Sequence, residues 1–147
     1  MGMRVIAYDP FIKADNPVWA ALGAEPASLP DLLAAAHVVS LHVPLTDATR
    51  NLIDAAALKA MRSDAIVINA ARGGVIDEEA LVMALKAGQI AGAALDVFES
   101  EPLKGAGAAL FASCPNLILT PHIAGVTEES NVRVSWVTVE NVKKALA

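Results

Sequence analysis

Three short stretches hold the side chains best suited to chemistry. INAARGGVIDEEAL carries Arg72, ALDVFESEP carries Glu99 and Glu101, and LTPHIAG carries His122. Arginine presents a planar fork that can grip a carboxylate through two parallel hydrogen bonds, which the point charge of lysine cannot reproduce. Gly73 and Gly74 behind Arg72 let the backbone approach a ligand and turn into the next helix. The plainer reading of Arg72 is a structural arginine paired with a nearby acid. His122 follows Thr120-Pro121, and proline restricts both its own φ and the residue before it. A lone loop histidine is merely solvated, whereas one beside a carboxylate is favoured as imidazolium and can donate a proton near neutral pH. Glu101 is the candidate neighbour and Glu99 its competitor, and the residues alone leave that choice open.

Asp9 closes an apolar run just before Pro10. An acid in that place can take both ribose hydroxyls of an adenosine half and repel a 2′-phosphate, which favours NAD over NADP. The alternative is an aspartate that only forms a turn. A carboxylate grip, a proton donor and a dinucleotide cleft together describe hydride transfer between a nicotinamide and the carbonyl carbon of a 2-oxo acid. In that scheme His122 protonates the oxygen while Arg72 holds the carboxylate.

Such groups need a frame that brings them together, and the chain alternates as one would expect. Met3–Tyr8, His37–Leu41, Ala65–Asn69, Ile90–Leu95 and Asn116–Thr120 read as strands. Asn16–Leu22, Pro30–Ala36, a segment capped by Asp54 that runs through Met61, and a segment capped by Asp77 that closes at Gly88 read as helices. Val126–Ala147 reads as one long helix and Glu99–Gly107 as a surface loop. Short strands rich in Val, Ile, Leu and Ala between helices predict an α/β fold, a Rossmann-like parallel sheet with helices on both faces. Ligands of such sheets lie beyond the carboxyl ends of the strands. Those ends deliver Asp9, then His42-Val43-Pro44, then Ala70-Ala71-Arg72, then Asp96 with Glu99 and Glu101, and finally Thr120-Pro121-His122. Arg72 is therefore aimed at a crevice.

Bulk properties narrow the field. The 147 residues fit one domain, are 55% hydrophobic and carry a net charge of −5. No basic cluster suggests nucleic acid, and no apolar run approaches the roughly 18–20 residues of a membrane span. No secretory signal is visible near Met1, and the one cysteine, Cys114, reads as an inert thiol, so a cytoplasmic protein is expected. His37 and Trp19 read as structural, and Trp136 as packing against a core or a partner subunit.

VIAYDP, SLHVPLTDATRNLI, INAARGGVIDEEAL, GAALDVFESEP and LTPHIAG, in this order over nearly the whole chain, resemble the D-isomer-specific 2-hydroxyacid dehydrogenases, the group that includes D-3-phosphoglycerate dehydrogenase. The resemblance implies catalytic roles for Arg72, Glu101 and His122, choosing Glu101 over Glu99. It also implies NAD contacts at Asp9, Val43, Pro44, Ala70 and Ala71, with Asp96 beside the nicotinamide carboxamide and Gly125 near the cofactor. A small 2-hydroxy or 2-oxo acid of 3-phosphoglycerate type and a homodimer or higher homo-oligomer are the expected partners, with no metal.

The family's glycine-rich phosphate loop would come before Met3, and its substrate-binding domain is not matched. Residues 1–147 are thus expected to be a single, N-terminally incomplete NAD-binding domain. By resemblance, a central strand would be missing between Met3–Tyr8 and Ala65–Asn69. Such a chain alone is expected to bind NAD weakly and turn over little. The competing expectations are a non-catalytic dinucleotide-sensing module of corepressor type and a truncated gene remnant.

Overall fold

Most helix starts in the computed structural model, which describes residues 2–146, are set by a short polar side chain or a proline. Asp54 accepts the N–H of Ala57 at 2.8 Å and opens α3 (Ala55–Ala60). Asp77 does the same for Ala80 at 2.9 Å and opens α4 (Glu78–Lys86). Ser28 caps α2 (Leu29–Ala35), one residue earlier than Pro30 suggested. Thr127 and Ser130 exchange hydrogen bonds at the start of α6 (Glu128–Leu146). Ala147, the expected last residue of that helix, and Met1, the expected first residue of the domain, lie outside the described residues. The first helix, α1 (Val18–Leu22), ends on Gly23 in the left-handed conformation.

The strands are β1 (Val5–Ala7), β2 (Ala24–Pro26), β3 (Val38–Leu41), β4 (Ile66–Asn69), β5 (Gly92–Leu95) and β6 (Leu117–Leu119). Every strand pairing is parallel. Two elements went unseen in the sequence. β2 is only Ala-Glu-Pro, with no apolar run to announce it. α5 (Gly105–Leu110) falls within and beyond the stretch read as loop, because two glycines disguise an otherwise alanine-rich turn of helix.

The strands form two separate sheets, β1-β2 and β3-β4-β5-β6. This corrects the expected position of a gap beside Ala65–Asn69. Ile66–Asn69 is hydrogen-bonded on both sides, to Val38–Leu41 and to Gly92–Leu95, and leaves no room for a further strand. The discontinuity lies instead between the β1-β2 pair and the four-stranded sheet. Ile6 of β1 nevertheless packs against the core of the larger sheet.

That core lies mainly between the sheet and α3 and α4. Ile53, Leu58, Ala65, Val67, Val75 and Leu81 are fully buried there. Burial alternates along β3 and β4: Val39, Leu41, Val67 and Asn69 are covered, while Val38 and Ile66 remain 46% and 40% exposed. Ala65–Asn69 is therefore covered on one face, although its continuous apolar run reads as a strand buried on both. No described residue of α6 is buried, and its Val132, Trp136 and Val139 face outward. No helix among the described residues is long and apolar enough to cross a membrane.

Candidate functional site

Because the four strands of the larger sheet are all parallel, their carboxyl ends share one edge. Val43 and Pro44 follow β3, Ala70 to Arg72 follow β4, Asp96 follows β5, and Thr120 to His122 follow β6. The segments are tied to one another at this edge by specific bonds, beginning with the turn after β4.

Asn69 ends β4 and is 2% exposed. Its side chain accepts the Ala71 N–H at 3.1 Å and donates to the Arg72 carbonyl at 2.9 Å, which folds the chain into the turn that carries Arg72. A buried amide costs free energy unless its donors and acceptors are met, and here they are met by the turn itself. Arg72 stands exposed, with its guanidinium donating to the Ala71 carbonyl at 2.6 Å. It forms no hydrogen bond or ion pair with an acid among the described residues, so the plainer reading of a structurally paired arginine gains no support. Its guanidinium likewise makes no direct bond to Glu101 or His122.

Gly73 serves close approach. A Cβ placed there would stand 1.8 Å from the Phe98 carbonyl oxygen, so any larger residue must displace backbone. The turn that bears Arg72 thereby rests directly on the loop that bears Glu101.

Glu101 turns back on its own loop, with Oε1 accepting the Phe98 N–H at 3.0 Å. Both its carboxylate oxygens approach Nδ1 of His122, at 3.2 and 3.0 Å. The hydrogen bond from His122, and then the one from the Phe98 N–H, hold the Glu101 carboxyl below the usual glutamate value. Glu99 makes no such contact. It is exposed and engages the site through its backbone N–H alone, which donates to Glu78 at 2.6 Å.

His122 is held from a second side. Its φ is 53°, a left-handed conformation uncommon for a residue with a side chain. Its N–H donates to Asp96 Oδ1 at 3.1 Å, and the Thr120 hydroxyl donates to the same oxygen. Thr120, and then the His122 N–H, keep the Asp96 carboxyl below its usual range. One oxygen of Asp96 is thus engaged in aiming the histidine loop, a task that its position after a strand did not reveal. Asn69 and Glu78 were also missed, and Thr120 was placed at this edge without a role. The only signal in the sequence was a polar residue at the very end of, or just after, an apolar run.

The residues expected near a dinucleotide are spread more widely. Asp9 follows β1 in the smaller sheet and accepts the Phe11 N–H at 2.8 Å through Oδ1, forming the expected turn. Its second oxygen has no hydrogen bond among the described residues. It borders a depression of about 220 Å³ with Tyr8, Ile12, Trp19 and Pro26. An acceptor carboxylate beside an apolar hollow suits a ribose and its base. Ala70 is exposed and Ala71 half-buried, with side chains too small to obstruct a ligand along the strand ends. The Pro44 carbonyl accepts the Thr49 hydroxyl at 2.6 Å, which fixes the loop after β3, and Val43 packs against the core. Gly125 is exposed, and a side chain there would meet open space. This set of residues fits a dinucleotide cofactor.

Comparison with known proteins gives the arrangement a context. Residues 1–124 match the model of the D-isomer specific 2-hydroxyacid dehydrogenase, NAD binding domain. Over 146 residues the chain is 49% identical to (S)-sulfolactate dehydrogenase of Chromohalobacter salexigens, covering 99% of this chain and 46% of that one. It is 44% identical over 146 residues to D-3-phosphoglycerate dehydrogenase of Synechocystis, covering 99% of this chain and 26% of that one. The crystal structure of D-lactate dehydrogenase from Aquifex aeolicus with NAD and lactic acid superposes with a TM-score of 0.82 at 34% identity, over 99% of this chain and 46% of that one. The chain thus spans less than half the length of these relatives.

Proposed function

We propose, on the premise that this chain belongs to the D-isomer specific 2-hydroxyacid dehydrogenases and forms their NAD-binding domain, that it carries the catalytic edge of an NAD-dependent oxidoreductase acting on a small 2-hydroxy or 2-oxo acid. The observation that carries the reading is the contact of Glu101 with Nδ1 of His122, together with the bond from the His122 N–H to Asp96. A ring fixed at Nδ1 and through its own backbone offers Nε2 to a reacting oxygen, and Glu101 stabilises the ring while it carries its proton.

Asp9, Val43, Pro44, Ala70, Ala71 and Gly125 would line the cofactor, and Asp9 would accept its ribose hydroxyls. When bound, NAD supplies or accepts the two electrons of the reaction. This chain's own groups then have separate tasks. Arg72, free of any acid partner among the described residues, binds the substrate carboxylate in the bidentate manner that its fork permits. His122 gives a proton to the substrate oxygen in reduction and takes it back in oxidation. Glu101 keeps the ring oriented, and Asp96 keeps the histidine loop in place.

The substrate unit these residues read is a carboxylate next to a carbinol or carbonyl carbon. Acids of the 3-phosphoglycerate and sulfolactate kind both contain that unit, in keeping with the relatives named above. The test is 2-oxo-acid-dependent oxidation of NADH by a full-length enzyme carrying this domain, followed for the wild type and for His122→Gln, since the 147 residues alone are expected to turn over little. A general acid contributes about 10²–10⁴-fold. A loss of that order is expected, and a variant as fast as the wild type would exclude His122 from proton transfer.

A further inference from the structure

Glu78 lies outside the catalytic scheme above, yet it is the one charged side chain buried among the described residues, at 9% exposure. It occupies the first turn of α4, just after the Asp77 cap. That start is fixed in space, because Asp77 N–H donates to the Ile53 carbonyl at 3.1 Å and Ile53 bridges Ile76. From this anchored point the Glu78 carboxylate reaches 21 residues along the chain and accepts the Glu99 N–H at 2.6 Å. The Gly73 backbone also lies close against the Phe98 carbonyl and the Glu99 nitrogen. The Phe98–Glu99 peptide is thus held both by close backbone contact and by a charge-assisted hydrogen bond. The adjoining N–H, that of Phe98, is the one that Glu101 accepts.

We infer that Glu78 is a positioning residue for Glu101: by fixing the Phe98–Glu99 peptide against the Arg72 turn, it sets where the Glu101 carboxylate meets His122. The inference rests on the reading of Glu101 and His122 given above.

A carboxylate in this place is costly. Burial pushes the Glu78 carboxyl up, and the carboxylates of Glu99 and Glu101 add to the push, while the Glu99 N–H opposes it. A role in packing alone would be filled more cheaply by an apolar residue. What the site requires is an acceptor oxygen at this exact reach. Aspartate keeps the charge and the helix-start preference but is one methylene short. Glutamine keeps the reach and an acceptor oxygen but loses the charge.

The experiment is a carboxyl-carbon NMR titration of Glu101 in the 147-residue chain, its signal assigned by its absence in Glu101→Gln. The Phe98 amide proton, bound to the same carboxylate, gives a second reading of the same event. The wild-type midpoint should lie below the ordinary 4.5, because His122 and the Phe98 N–H both favour the charged form. Glu78→Asp should move it up towards 4.5, and Glu78→Gln should leave it in place or lower it. A midpoint unmoved by Glu78→Asp but raised by His122→Gln would overturn the role of Glu78 alone. A rise in Glu78→Gln equal to that in Glu78→Asp would overturn it too, by making charge rather than reach the cause. A midpoint unmoved by His122→Gln would show that the Glu101–His122 pairing itself is wrong, and the inference would fall with it.

Discussion

Asp96 accepts the backbone N–H of His122 across 26 residues, with the Thr120 hydroxyl on the same oxygen. The strand end expected to meet the cofactor sets the posture of His122, the proposed proton donor. His122 sits at φ 53° because its N–H has this partner to reach.

Replacement of Asp96 by Ala should therefore act through His122. A misplacement of about 1 Å can cost roughly 10²-fold in rate. We expect kcat to fall by that order while NAD affinity changes less. A variant that loses only NAD affinity would return Asp96 to the cofactor and remove it from the histidine.

Acid stability gives a second test of the same contact. The Asp96 carboxyl lies below its ordinary 3.8 in the folded chain, and Glu101 lies below 4.5. For such groups the folded state binds fewer protons. Their contribution is complete above the ordinary value and is lost as pH falls through the lowered one. Glu78 runs the other way, since its carboxyl is raised and its contribution is lost as pH rises through the raised value. Asp96→Asn should flatten the loss of stability below about pH 4, followed by denaturant melts across the acid range. An acid limb as steep as that of the wild type would count against the paired carboxylate.

Glu101→Gln leaves His122 beside a neutral partner. The carboxylate that holds Nδ1 at 3.2 and 3.0 Å is then an amide, and the ring loses the partner that orients it. A misplaced ring should lower kcat/KM by roughly 10²-fold, measured beside Glu99→Gln, which should change it little. Equal effects of the two variants would leave the contact without a part in the chemistry.

Arg72→Lys keeps a positive charge and loses the fork. A hydrogen bond to a charged group contributes about 1.5–3 kcal/mol, roughly 10- to 150-fold in kcat/KM. We expect a loss in that range for reduction of 2-oxo acids, and little change in thermal stability because the exposed guanidinium donates only to Ala71. Near-normal efficiency would remove Arg72 from substrate binding.

Gly73→Ala tests the contact between the two loops. With a Cβ 1.8 Å from the Phe98 oxygen, the backbone must move. Overpacking of this kind costs about 1–3 kcal/mol. The variant should melt earlier and should disturb the amide signals of Phe98 and Glu99 before those of α3. Unchanged stability would mean that the two loops do not rest on each other.

Much of this protein was written in local chemistry. Asp54 and Asp77 announced their helices because a short carboxylate competes for the free N–H groups of a first turn, and Gly23 announced an ending. Runs such as AIVIN and the parallel pairing they imply were legible for the same reason, since such stretches must be covered by other elements of the fold. Arg72, Glu101 and His122 could be singled out because their chemistry is unusual at the ends of apolar runs. The rest depended on distance in space. β2 has no apolar pattern and exists because β1 offers it an edge. The break between the two sheets, the open face of β3 and β4, and the reach of Glu78 to Glu99 have no periodicity to betray them. From the residues alone, the choice of Glu101 over Glu99 as the partner of His122 stayed open, because it turns on which carboxylate the loop folds inward. Glu78 meets the Glu99 N–H and Gly73 abuts the Phe98 carbonyl from more than 20 residues away, contacts that only the folded backbone creates.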